Sequence, residues 1–294
     1  MDRAVTIGAY VLPEVGDRRS AVAAASEAAV AGADYVITAT SGPERSRYTS
    51  TNGAIDLAAA CARRSGIAAT ATVTTWSSSA VSLQANLLAA HARGVTRLVC
   101  GNGSAPEDRA AVASGRWSID VTELIQLVRG LNDGVDRFGH VLEPPTRFEI
   151  GVRIRAIPEL SAEDRARIRR KIDAGADFIV SSPIYDPRSL QPLLDVVGGR
   201  IPVYATVHAL RSTSEAARLR DELAAGCVPD DLVDRIAGAG DGAVSEGSRM
   251  SVETAVAVST DVAGIVASRC RTDTIAALAA SLPRAGTGST SPRS

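Results

Sequence analysis

Two arginines sit where a β-strand would aim them at one face. In "RFEIGVRIRA", residues 147–156, Ile150, Val152 and Ile154 alternate with Gly151, Arg153 and Arg155. That is the period of a strand with one aliphatic face. An inward guanidinium needs a carboxylate, a phosphate or an electron-rich ring. Two readings stay open: an internal ion pair, with Glu149 or with a carboxylate from another strand, or contact with an anionic ligand. Arg155, nearer the strand's end, is the candidate for a catalytic role and Arg153 for substrate binding. His208 ends another β-rich run, and a side chain that titrates near neutrality suits acid–base work. Tyr185 and Tyr10 end two further runs and could stack on a ligand or donate a hydrogen bond to it. Glu14 and Trp76 are weaker candidates, and His91 and most of "EDRARIRRK" (163–171) read as helix surface.

These residues need a frame. "AGADYVIT" (31–38) and "AGADFIVS" (174–181) are nearly one phrase: an Ala-rich helix closed by glycine, then a short β-rich run. "ARGVTRLVC" (92–100) and "TDVAGIVAS" (260–268) are looser copies. Helix, glycine, strand is the unit of a parallel sheet. Strands are expected at 4–10, 34–39, 67–74, 96–101, 148–155, 177–182, 201–207 and 263–269. Eight of them separated by helices, with no glycine-rich dinucleotide turn after the first, predict an α/β fold: a (β/α)8 TIM barrel forming one domain over 1–282. The polar tail 283–294 reads as disordered, and 103–118, which follows the fourth strand, as a lid.

Composition narrows the chemistry. Over 294 residues the formal charge is −1, with no basic field for nucleic acid. No apolar run reaches the roughly 18–20 residues that span a bilayer, and the first residues lack a secretory pattern. The expectation is a cytoplasmic protein acting on a small molecule. Four scattered cysteines and three histidines offer neither a zinc site nor a disulfide framework.

At "RRKIDAGADFIVSSPIYD" (169–186) the chain resembles the methylenetetrahydrofolate reductase family, whose version runs roughly K-x-D-A-G-A-x-x-x-x-T-Q-x-F-F-D. "TATSGPERSR" (38–47), "NLLAAHARGVTRLVCGNG" (86–103), "PVYATVHALRSTSEAARL" (202–219) and "CVPDDLVDRI" (227–236) match further family segments in order. The resemblance covers about 4–270. It implies FAD at the C-terminal mouth of a barrel, hydride supplied by NAD(P)H, and a tetrahydrofolate derivative as substrate. By position it implies FAD contacts at Thr38, Gly103, Asp164, Arg170 and Lys171. Subunits that associate as a homo-oligomer are also implied.

The departures carry equal weight. The family glutamate that protonates the folate nitrogen falls at Gly8 or Ala9; the aspartate of its L-R-G-D loop is Ser104, and the arginine Asn102. The pterin-contacting glutamine is Ser182, the next two aromatics are Ile184 and Tyr185, and Arg153 and Arg155 replace an alanine and a tyrosine. The resulting expectation is an FAD-binding enzyme acting on a folate one-carbon unit by reduction or transfer, without the usual acid. The alternatives are a catalytically silent subunit that serves a partner enzyme, and a flavin-free reductase acting on a different anionic substrate.

Overall fold

The computed structural model describes residues 4–12, 18–39, 51–76, 78–103, 119–223 and 225–283, with the side chains of 51 and 52 left aside. All but the first residue of the predicted lid (103–118) and of the predicted tail (283–294), and Glu14, lie outside them. Eight parallel strands close into a barrel in sequence order, the (β/α)8 architecture expected. They are β1 (Thr6–Val11), β2 (Tyr35–Thr38), β3 (Ala68–Thr74), β4 (Arg97–Gly101), β5 (Glu149–Ile154), β6 (Phe178–Ile184), β7 (Val203–His208) and β8 (Gly264–Ser268). The wall helices are α1 (Arg18–Val30), α2 (Thr51–Ser65), α3 (Ala80–Ala92), α4 (Val121–Asn132), α5 (Ala162–Asp173), α6 (Gln191–Val197), α7 (Thr213–Glu222), α8 (Asp230–Gly238), α9 (Ala243–Val258) and α10 (Thr272–Ser281).

Local chemistry sets the element starts. Asp120 and Ser161 cap α4 and α5 in capping boxes with Glu123 and Asp164, which satisfies N–H groups that have no partner within the helix. Gly32 and Gly175 close the two copies of the repeated phrase at φ +105° and +108°, a region that disfavours other residues. The repeat's aspartates then act identically. The Asp34 carboxylate accepts the Ile7 N–H at 2.7 Å, and the Asp177 carboxylate accepts that of Ile150 at 2.8 Å. Each pins the incoming strand to the one before it.

Outward strand residues, among them Ile7, Val73, Leu98, Ile150, Val152 and Ile265, pack with the helices in the main core. Inward, Tyr35, Phe178 and Tyr204 each stand opposite a glycine of the neighbouring strand: Gly8, Gly151 and Gly264. A Cβ at any of the three would lie within 2.7 Å of the facing ring. Small beside large is how a narrow barrel fills its interior without voids. The three rings surround the Arg97 guanidinium, which lies 5.1, 4.2 and 5.1 Å from the Tyr35, Phe178 and Tyr204 centroids. Its Nε is 2.9 Å from Glu149 Oε2. This ion pair and cage plug the lower barrel, so Glu149, weighed as a partner for Arg153, serves Arg97 instead.

Candidate functional site

The strands' C-terminal ends carry the polar groups. Along β5 the aliphatic residues face the helices, as the alternation predicts, so Arg153 and Arg155 take the opposite face. The Arg153 guanidinium lies 5.8 Å from the Tyr10 ring centroid on β1. Two predicted ligand contacts thus meet across the mouth. Ala9 packs outward in the core. The inward positions of β1 are therefore Gly8, opposite Tyr35, and Tyr10 nearer the mouth.

Among the described residues neither Arg153 nor Arg155 has a carboxylate in ion-pair contact. Arg155 is exposed and within electrostatic range of Lys171 and Asp164 on α5. Burial lowers the Lys171 pKa, Asp120 opposes that, and the Arg167, Arg155 and Arg170 charges add to the lowering. A polar rim completes the mouth. Thr70, Thr72 and Thr74 follow one another on one face of β3, opposite Ala71 and Val73 of the outer core. Ser182 accepts the Ala156 N–H at 3.0 Å, and Gly103 stands just beyond β4 at φ +77°, where a Cβ would meet Trp76 at 2.9 Å.

Other expected contacts are used internally. Thr38 is buried with its hydroxyl 2.7 Å from the Ala54 carbonyl of α2, so it faces away from the mouth. The Asp164 carboxylate accepts from the Ser161 hydroxyl at 2.6 Å, and that bond leads in lowering its pKa. Arg170 is exposed on α5. Tyr185, expected to be catalytic, is buried in the apolar cluster of Leu210, Ala216, Leu219 and Met250, and burial raises its pKa. Its ring meets His208 edge-on at 5.9 Å. His91 packs similarly on Phe148, a structural role.

His208 ends β7 and is only 3% exposed. Nε2 lies 3.6 Å from Glu215 Oε1, and Nδ1 3.4 Å from the Ser268 hydroxyl at the end of β8. Glu215 also accepts the Arg211 N–H at 2.8 Å and pairs with Arg269 at 2.9 Å. Burial alone would raise its pKa; His208, the Arg211 N–H and Arg269 overcome this and hold it at about 2. Arg269 adopts φ +54°, the left-handed region that a side chain disfavours. Glu215, Ser268 and Arg269 carry no clear sequence signal. Only the threonines of β3 do, through their period of two.

Among the described residues no group of three or more His, Cys, Asp or Glu side chains could hold a metal ion, and no helix is long and apolar enough to cross a membrane. In fold, the chain resembles an uncharacterized protein from Clostridium thermocellum described as binding two copies of 5-methyl-5,6,7,8-tetrahydrofolic acid, at 10% identity and TM-score 0.58 over 95% of this chain and 94% of that one. Tryptophan synthase from M. tuberculosis in space group F222 aligns at 14% identity and TM-score 0.48 over 97% and 94%. No curated protein matches the sequence. The family model for methylenetetrahydrofolate reductase matches residues 10–263, nearly the whole described barrel, and the chain belongs to that family.

Proposed function

We propose that this barrel binds a reduced folate at its C-terminal mouth and acts on the folate's one-carbon unit. The observation that carries the reading is the pair of guanidiniums, Arg153 and Arg155, raised at the mouth with no carboxylate in contact among the described residues. A folate is flat and rich in donors and acceptors at its pterin end and carries carboxylates at its glutamate end. Arg153, Tyr10, Thr72, Thr74 and Ser182 suit the first; Arg155 and Lys171 suit the second. The family match and the 5-methyl-5,6,7,8-tetrahydrofolic acid named for the Clostridium thermocellum protein support this choice. A proton delivered to the folate nitrogen eases opening of its C–N bond, typically by about 10²–10⁴-fold; His208, only 3% exposed, has no direct line to it.

An FAD, implied by the family, fits in part. Arg155, Arg170 and Lys171 form a basic edge suited to its phosphates. The ring end does not fit: Arg153 leans on Tyr10 where the floor of the mouth would have to be open, and Thr38 spends its hydroxyl on Ala54. The same lean of Arg153 favours a second reading, in which a reduced nicotinamide acts as a substrate and passes hydride to the folate directly.

The test is calorimetric titration of the purified chain with 5-methyltetrahydrofolate, alongside an absorbance spectrum from about 300 to 550 nm and an NADH-oxidation assay with methylenetetrahydrofolate. Saturable binding that weakens in Arg153→Ala supports the reading, and no binding removes it. Twin flavin bands would overturn the misfit at the ring end.

A further inference from the structure

We propose that the wall formed by α3, α4 and the hairpin between α4 and β5 is an interface between two copies of this chain, with Phe138 of each copy seated in the other's α3–α4 cleft.

Apolar exposure is concentrated on this wall. Seven large apolar residues are exposed among the described residues, and four of them, Val81, Val135, Phe138 and Val141, belong to α3 or to the hairpin. The chain has three phenylalanines. Phe148 and Phe178 are buried, whereas Phe138 is 61% exposed. Apolar residues scattered singly over a surface need no explanation, but a group gathered on one wall around an aromatic ring marks a contact surface.

The hairpin is built to hold that ring outward. Val135 and Val141 bridge antiparallel, and the Leu142 N–H donates to the Gly134 carbonyl at 2.8 Å. Asp136 Oδ1 accepts the Phe138 and His140 N–H groups, both at 2.8 Å, and its Oδ2 lies 3.1 Å from His140 Nδ1. Gln84 fastens the turn to α3: its Oε1 accepts the Arg137 N–H at 3.0 Å, and its Nε2 donates to Asp136 Oδ2 at 3.4 Å. A tip ordered in advance loses less entropy when it docks.

The same wall offers the receptor. A cleft of about 330 Å³ between α3 and α4 is lined by Ala80, Ile119, Leu127, Gly130 and Val135, apolar groups that suit a ring. Arg137 lies between knob and cleft: it lines the cleft, and its guanidinium is 5.3 Å from the Phe138 centroid. A knob beside a hole on one face is what a two-fold contact requires, because the rotation carries each knob to the other copy's hole. The charges agree with this. Arg137 travels with the ring, and Glu123 and Asp136 stand along the cleft that the ring enters. Opposite signs therefore meet across the contact, whereas a wall of one sign would repel its own copy. This self-complementarity selects a second copy over a different protein as the occupant.

Sedimentation equilibrium of the full chain from about 1 to 100 µM reads the assembly. Wild type is expected to populate a species of twice the 30.4 kDa chain mass. Phe138→Ser raises the dimer Kd at least about thirtyfold, the scale of a buried aromatic anchor lost from both copies. Urea unfolding of the dilute monomer stays the same in that variant, because the ring is exposed there. Arg137→Glu sets like charges against each other and raises the Kd by about tenfold or more. A wild-type chain that stays monomeric throughout the range overturns the proposal and leaves the wall to a different protein. A dimer that keeps its Kd in Phe138→Ser also overturns it, since the contact then lies elsewhere. A Kd untouched by Arg137→Glu overturns the seating of the ring beside Glu123.

Discussion

The Arg97 guanidinium sits 4.2 Å from the centre of the Phe178 ring, with Tyr35 and Tyr204 at 5.1 Å on other sides. A cation enclosed by three rings loses its contacts together when truncated. Arg97→Ala is expected to lower the unfolding free energy by about 2–4 kcal/mol, measured by urea titration, and to leave folate affinity unchanged because the cage lies below the mouth. Lysine cannot stack as a plane and should not rescue. Glu149→Gln removes only a half-exposed partner and should cost less than about 1 kcal/mol.

Gly151 gives Phe178 its room. A Cβ there would lie 2.3 Å from the ring and 2.9 Å from the Leu98 carbonyl. Gly151→Ala should destabilise by about 1–3 kcal/mol or more, the range for overpacking. Part of that loss should return in the double variant with Phe178→Leu. Additive losses in the double-mutant cycle would show that the ring is not what the new methyl meets.

At the mouth, the exposures separate ligand contacts from bystanders. Arg153→Ala and Tyr10→Ala should each weaken 5-methyltetrahydrofolate binding by about tenfold or more, the loss of a charge-assisted or stacked contact of about 1.5–3 kcal/mol. Arg170→Ala, on an exposed helix position, should change it less than threefold. Equal effects from all three would mean a diffuse field rather than a built site, and salt dependence would show it.

Much of this frame is legible in the chain. The repeated Ala-Gly-Ala-Asp phrase gives the αβ unit, and the period of two in 150–155 gives the inward arginines. The aspartates' grip on Ile7 and Ile150 is not legible, because an N–H 27 residues away leaves no local mark. Glu215 shows the same limit more sharply. Ser212 and Glu215 spell a capping pattern, and Ser212 does accept the Glu215 N–H at 3.1 Å. The carboxylate goes instead to Arg211, Arg269 and His208, two of which arrive from other strands. Thr38 fails for a related reason. The motif fixes its residue type, while the register of β2 against α2 turns the hydroxyl away from the ligand.

Glu215 ties the mouth to pH. Its pKa falls from 4.5 to about 2 in the folded chain, so the folded state holds the charged form more tightly than the unfolded one. The stability this contributes is fully present above the unfolded value and is lost as pH drops through the folded value. Wild type should therefore exceed Glu215→Gln by about 2–3 kcal/mol at pH 6, with the gap closing between about pH 4.5 and 2. Thermal unfolding of both chains across that range checks it. A gap that persists to pH 2 would assign the loss to packing or to the Arg211 N–H bond rather than to the charge. A gap that widens on acidification would reverse the sign and remove Glu215 as the anion that holds His208 and Arg269.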